Sequence, residues 1–461
     1  MVRSTWALPV SAVFVLTTSL AAPAAAFSAD RPEALPRYRF EVGQELTYKG
    51  DSDFKYGKGP KQNSMGSHTE WTVWVVRKND DGSYRLVLRC SESSKFDGKA
   101  SGEPRATLAY ADVFPDGRVI TNSTTRFHTN PSTLFPRLPA DQRQVKNGWE
   151  DRQEEDDAHT SFQILARPTD GSAVWTFREV RKSALDEIYL TTSKSTVTFD
   201  PQRGLVTKIQ SESSQGYGFN GKGTGSDEFV SATSHDAAWT SRLREQAERY
   251  FTANHDYEEK LKAASKDSDA SKKLLEQATA LLVAAEKAVT LPIVKEQLAA
   301  LLKQHDRMAS YYREAAARRA EFVGRPAAPF QVDDLKGKPH ALKDYKGRVV
   351  VMDFWYRGCG WCMRAMPQMK QLEEDFRDQP VTFLGMNTDH NEADAKFVID
   401  KMGLTYTTLK ASGLPEKYGV RGFPTLVIID KQGKVQDLYV GYSPELRKEV
   451  GEIVRGLLAK K

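Results

Sequence analysis

Apolar and polar positions change their period twice along this chain. Between 37 and 232 the period is two. Trp71, Val73 and Val75 alternate with Thr72, Trp74 and Val76, and Tyr84, Leu86, Leu88 and Cys90 share one face of the next segment. Further strands are expected at 161–165, 173–180, 187–199 and 205–212. Asn79-Asp80-Asp81-Gly82, Asp116-Gly117 and Asp170-Gly171 supply turns between strands. Many short strands with polar turns predict an all-β N-terminal domain, residues 27–235, built as an antiparallel sandwich or an open barrel. The periodicity does not choose between the two.

Between 236 and 323 the spacing becomes helical. Trp239, Leu243, Ala247 and Tyr250 fall on one helix face. Residues 267–269 mark a break, with Ser271 as the expected N-cap of a helix carrying Leu274, Leu281 and Ala285 on its apolar side. Pro292 suits the first turn of a further helix. There Val294, Leu298, Leu301, His305, Met308 and Tyr312 follow the four-three spacing of a coiled-coil-like seam. The expectation is an α-helical hairpin against a neighbouring domain, with His305 a packed side chain. Whether the segment is a spacer, a dimerisation element or a lid stays open.

Arg325-Pro326-Ala327-Ala328-Pro329 breaks the helix and opens a last domain, residues 324–461. Short strands at 330–335 and 340–342 lead into a near-continuous apolar strand at 348–355, as expected of a strand covered on both faces. A helix from Cys359 to about Phe376, a strand at 381–387, a helix at 392–402 and a helical turn at 413–418 follow. Strands at 425–430 and 435–440 form a hairpin around Lys431-Gln432-Gly433. Ser443 as N-cap and Pro444 at the first helical position open the closing helix.

Composition narrows this picture. A chain of 461 residues holds two to three domains, and a net charge of +5 without a basic stripe interleaved with aromatics excludes a nucleic-acid partner. Residues 1–26 carry Arg3, an apolar run from Trp6 to Leu20 and an Ala-rich end. This pattern predicts a signal peptide cleaved after Ala26, with an uncleaved membrane anchor over 4–26 as the alternative. Either reading puts the remainder outside the cytoplasm, periplasmic or secreted. The acidic run at 150–157 reads as a solvated loop, since its spacing is not that of an EF-hand. The eight histidines form no HExxH-type pair, so neither a metal nor a cofactor is expected. Of three cysteines, Cys90 lies on an apolar face and reads as a buried thiol, with pairing between chains left open.

The other two cysteines stand in Cys359-Gly360-Trp361-Cys362, behind the buried strand and ahead of a helix. The thiolate is the reactive form of cysteine, and the unpaired N–H groups and macrodipole of a helix N-terminus favour it. Cys359 is therefore the expected attacking thiol. Cys362, one turn inside the helix, is the expected resolving thiol. Asp353 lies six residues before Cys359, mid-strand among apolar neighbours, where a carboxylate is costly unless used.

Residues 325–461 resemble the thioredoxin fold, and more narrowly the TlpA/ResA-type extracytoplasmic thiol–disulfide oxidoreductases. The resemblance is carried by the opening hairpin and strand up to Trp355, by Cys359-Gly360-Trp361-Cys362, by Pro367 five residues later, and by Gly422-Phe423-Pro424-Thr425. It implies a cis Pro424, a substrate groove lined by Trp361, Phe423 and Pro424, and proton exchange between Asp353 and Cys362. It also implies exported proteins or apocytochromes as substrates and a membrane electron donor for a reductive direction, and the chemistry of the pair admits a protein or small thiol or disulfide partner. The Gly360-Trp361 dipeptide lacks the usual proline, and Phe423 is bulkier than the usual aliphatic residue. The extra helix and strand near 391–409 fit the TlpA-type insertion. Two alternatives remain. One is a peroxiredoxin-like thiol peroxidase, against which stands Tyr356 in place of the threonine of that family. The other is a binding module, formed by the β and helical regions, with an accessory redox domain.

Overall fold

β-branched and aromatic residues at alternate positions favour extended chain, and residues 44–234 are mostly strand. The computed structural model describes residues 34–57, 62–121, 131–153, 158–182, 184–217 and 220–460. The expected leader or anchor at 1–26, His128, and positions 154–157 of the acidic run lie outside them. The first six strands are β1 (Gln44–Tyr56), β2 (Asn63–Lys78), β3 (Tyr84–Phe96), β4 (Lys99–Ala100), β5 (Arg105–Val113) and β6 (Val119–Thr121). After helix α1 (Gln142–Asn147) come β7 (Trp149–Gln153), β8 (Ala158–Ala166) and β9 (Trp175–Lys182). Helix α2 (Ala184–Tyr189) then precedes β10 (Thr192–Asp200), β11 (Leu205–Gln215) and β12 (Gly221–Ser234).

Among the described residues these strands make one twelve-stranded sheet in the order β6-β5-β3-β2-β1-β12-β11-β10-β9-β8-β7, with β4 beside β3. β1 pairs antiparallel with both β2 and β12, so two meanders share one sheet. The sheet curls. Trp71, Val73, Leu86 and Leu88 of one meander share a core with Trp149, Phe162, Trp175 and Phe177 of the other. This is a single open, curled sheet, and the sandwich alternative falls away. Cys90 is buried on the inner face and is not in a disulfide.

The outer face explains why β2 is apolar on both sides. Trp74, Val76, Val87 and Leu108 pack there against helices. These are α3 (Ala237–Lys266), α4 (Ser271–Ala288) and α5 (Pro292–Phe322), the three helical segments that the spacing marks out, packed as a three-helix unit and not as a simple hairpin. Asp236 caps α3 by accepting from the Trp239 amide at 2.7 Å. Ser271 is not the N-cap of α4 but its first helical residue. The Asp267 carboxylate takes the amides of Asp269 and Ala270, both at 2.9 Å, and holds the connection. The buried stripe of α4 is Leu275, Ala278 and Leu282, one position on from the expected one. The α5 seam packs within the chain, and His305 bridges Thr279 Oγ1 at 2.6 Å and Tyr257 Oη at 3.2 Å.

The remaining elements are β13 (Gln331–Asp333), β14 (Pro339–Ala341), β15 (Val349–Trp355), α6 (Gly360–Asp375), β16 (Val381–Asn387), α7 (Glu392–Met402) and β17 (Thr407–Lys410). They end with β18 (Thr425–Ile429), β19 (Val435–Val440) and α8 (Leu446–Ala459). Their five-stranded sheet runs β17-β16-β15-β18-β19, parallel across the first three strands and antiparallel across the rest. β15 is buried along its whole length, as its unbroken apolar run requires. α8 starts at Leu446, later than expected, because the Gln368 side chain from α6 accepts the Arg447 amide at 2.9 Å. Ser443 Oγ instead accepts from Glu445 in the preceding turn.

Leu35–Lys461 form one compact unit. Among the described residues no helix is long and apolar enough to cross a membrane.

Candidate active site

β15 delivers the chain to the site. Val349, Val351 and Trp355 face the core that holds Cys359 and Cys362, while Val350, Met352 and Phe354 face the opposite core. Strand alternation therefore puts Asp353 on the side of the cysteines. After Trp355 the chain turns, and Cys359 takes the N-cap position of α6 in extended conformation. Its sulfur accepts from the Cys362 amide at 3.1 Å, one of the unpaired donors of the first helical turn. Cys359 and Cys362 are joined as a disulfide, with their Cα atoms 5.3 Å apart. Both are buried, Cys359 6% and Cys362 1% exposed, whereas Trp361 between them is 54% exposed.

Aromatic side chains surround the pair. Trp361 stacks on Tyr442 with ring centroids 5.7 Å apart and carries the Arg364 guanidinium over its ring at 5.1 Å. Tyr356 meets Phe423 edge to face at 5.2 Å. The Phe423–Pro424 peptide is cis, as the resemblance implied. Trp361, Phe423 and Tyr356 thus lie on elements that flank the disulfide.

Asp353 is buried, and burial pushes its carboxyl up to about 7 against the downward pull of a hydrogen bond from Tyr406, whose hydroxyl donates at 3.3 Å. Its other oxygen is buried without a hydrogen-bond partner, as are Trp355 Nε1 and Thr408 Oγ1. A carboxyl in that position is poised to hold or release a proton near neutral pH. Sequence reasoning found Asp353 but not Tyr406, which lies 53 positions away across the sheet and carries no local signal.

Three further residues, Ile188, Tyr189 and Tyr217, come from the connections of the large sheet. Residues 187–189 fold as the end of α2, not as the start of the strand expected over 187–199. The reason is tertiary. Ile188 is fully buried in the core that holds Cys359 and Cys362, and α2 packs against α6 and α7. Tyr189 Oη donates to the Arg357 carbonyl at 3.3 Å. Arg357, whose direction the sequence left open, is buried and engages α2 and α7. It binds Asp394 at 2.8 Å and the Ile188 carbonyl at 2.9 Å, between the rings of Tyr217 at 3.8 Å and Phe397 at 4.2 Å.

Comparison with known proteins bears on this region. The Redoxin family matches residues 322–454. The thiol-disulfide oxidoreductase ResA of Geobacillus thermodenitrificans is 34% identical over 121 residues, 26% of this chain and 70% of the relative. ResA of Bacillus anthracis is 33% identical over 121 residues, with the same coverage of 26% and 70%. Among solved structures, the thioredoxin domain of a thiol-disulfide oxidoreductase from Bacteroides vulgatus is 29% identical, with a TM-score of 0.27, covering 29% of this chain and 97% of that one. A redox-capable cysteine pair at a helix N-terminus is what such enzymes require. Through its C-terminal region this chain belongs to the ResA family of thioredoxin-type thiol–disulfide oxidoreductases.

Proposed function

We propose that this oxidoreductase works outside the cytoplasm and reduces disulfides of exported proteins. Starting from the dithiol, the Cys359 thiolate attacks one sulfur of the partner disulfide. A bond forms between Cys359 Sγ and that sulfur, and the other partner sulfur leaves as a thiolate that takes up a proton. Cys362 passes its proton to the Asp353 carboxylate and attacks Cys359 Sγ. The mixed bond breaks, the second partner sulfur leaves, and the Cys359–Cys362 disulfide remains. Two electrons have passed from the pair to the partner. A donor at the membrane would restore the dithiol. Trp361, Phe423 and Pro424 line the groove that receives the partner, whose extended segment would pair with the backbone beside Pro424.

The observation that carries this reading is the disulfide at the N-cap of α6 with a buried carboxyl of raised pKa on the same side of β15. The leader-like pattern of residues 1–26 supports the location. The division into 27–235, 236–323 and 324–461 belongs to the same proposal, with the first two parts serving recognition.

The test is a trapping experiment. Reduced Cys362→Ala protein mixed with a disulfide-bonded peptide should accumulate a stable adduct at Cys359, and Cys359→Ala should form none. Equal turnover by both variants and the wild type would remove the reading.

A further inference from the structure

Among the described residues, helix α2 of the large sheet's connections reaches the redox site, and the contact is built from several independent parts. Ile188 is fully buried in the core around the two cysteines. Tyr189 Oη donates to Arg357, two residues before the attacking cysteine, and a side chain built on Gly360 would lie 3.7 Å from the same hydroxyl. Tyr189 therefore overhangs the first residues of α6. Its own carbonyl is held from behind by the amides of Gly216 at 3.2 Å and Tyr217 at 3.0 Å, at the end of β11.

Arg357 fixes this arrangement from the other side. Its guanidinium spans both partners, joining Asp394 of α7 to the Ile188 carbonyl of α2. A planar fork makes both bonds at once from two separate nitrogens, a geometry that a lysine's single nitrogen does not reproduce. The next residue, Leu190, has φ of +53°, a left-handed conformation that a branched side chain rarely adopts. Such a residue persists where its surroundings over-determine it, and it turns the chain sharply from α2 into β10. Leu190 is also 53% exposed, an apolar side chain presented beside the covered site.

We propose that Ile188, Tyr189 and Leu190 form a substrate-discriminating wall of the thiol–disulfide site, held in place by Arg357. The inference rests on the oxidoreductase reading of Cys359 and goes beyond it. With the wall closed, Cys359 is approached only from the side of Tyr356, Trp361 and Phe423. A disulfide on a small molecule or an extended, flexible segment can enter there. A disulfide recessed in a folded surface meets Tyr189 first. Discrimination thus comes from a collision built against the wrong partner. Arg357 is a positioning residue, since it acts through Ile188 and not on the sulfurs.

The full-length protein, reduced with dithiothreitol and desalted, tests this through the alkylation of Cys359. Rate constants are measured with iodoacetamide and with a maleimide carried on the surface of a small folded protein. In Tyr189→Ala and Arg357→Gln the ratio of bulky to small reagent rates should rise about tenfold, because the obstruction is removed in the first and no longer held in place in the second. Arg357→Lys should fall between. In steady state, the kcat/KM ratio for insulin over glutathione disulfide should rise in the same order, through KM for insulin. An alkylation ratio that stays within twofold of wild type in natively folded variants overturns the wall. Should Tyr189→Ala fail to fold, Tyr189→Leu keeps an apolar side chain while removing the ring and must still raise the ratio. If wild type and variants alike leave both insulin and glutathione disulfide unreduced, the reductive reading fails, while the alkylation ratio still decides the wall.

Discussion

Asp353 shows how one side chain couples stability to chemistry. Its carboxyl titrates at about 7 in the folded chain, raised by burial, against about 3.9 when unfolded. Between those values the folded state binds a proton that the unfolded state does not. The folded state therefore keeps its full stability below pH 4 and loses it as pH rises through 7. Asp353→Asn cannot ionise and escapes that loss. From pH 4 to pH 8 the variant should gain on wild type by on the order of 4 kcal/mol, read by urea unfolding of the oxidised proteins. A difference that is flat with pH would return this carboxyl to the ordinary range. The same variant should resolve a mixed disulfide more slowly while Cys359 alkylates at nearly the wild-type rate. The acid was legible in the sequence because a lone carboxylate in an apolar strand is anomalous. Tyr406 was not, because a cross-strand hydrogen bond leaves no trace in local spacing.

At the scale of elements, Gly385 guards the same polar cluster. It lies opposite Asp353 in the parallel pair β15–β16. An added Cβ would stand 2.7 Å from Thr408 Oγ1 and 3.1 Å from Trp355 Nε1, closer than those atoms allow. Gly385→Ala should cost roughly 1–3 kcal/mol by overpacking, measured by chemical denaturation; a neutral effect would mean that the cluster yields freely. Elements whose burial follows from their own pattern were readable. β15 is an unbroken apolar run, and Cys359 stands where a helix must begin. α2 was misread because its residues suit a strand, and only burial of Ile188 against another part of the chain makes them helical. Full burial of an isoleucine contributes about 2–3 kcal/mol, more than the propensity difference of so short a segment. The starts of α4 and α8 were misplaced for a similar reason. Asp267 and Gln368 satisfy backbone amides that Ser271 and Ser443 were expected to serve.

Across the whole molecule, the three helices join the large sheet to the redox region. α3 and α5 pack on the outer face of that sheet, and α5 ends against β19, where Arg319 pairs with Asp437. The Val435 backbone bonds the chain on both sides, accepting from Gly324 at 2.7 Å and donating to Arg325 at 2.9 Å. Removing one member of the largely buried ion pair strands the other. Arg319→Ala should lower stability by about 3 kcal/mol in urea unfolding and leave the Cys359 alkylation ratio unaltered. A loss well under 1 kcal/mol would make the joint a solvated contact. This scale was the least legible. Sheet and helix segments declared themselves by period, but the closing of two meanders into one curled sheet and the reach of α2 to Cys359 depend on contacts well over a hundred residues apart.

In the proposed function Cys359 and Cys362 form an exchanging redox couple that works in the reductive direction. Equilibration of the full chain against dithiothreitol and glutathione buffers, with the dithiol and disulfide fractions counted by mass spectrometry, measures its reduction potential. A two-electron couple near that of thioredoxin, roughly −270 mV, is the expected result. A value near −120 mV would make the protein a disulfide donor, and a bond that stays closed in excess dithiothreitol would make it a structural staple.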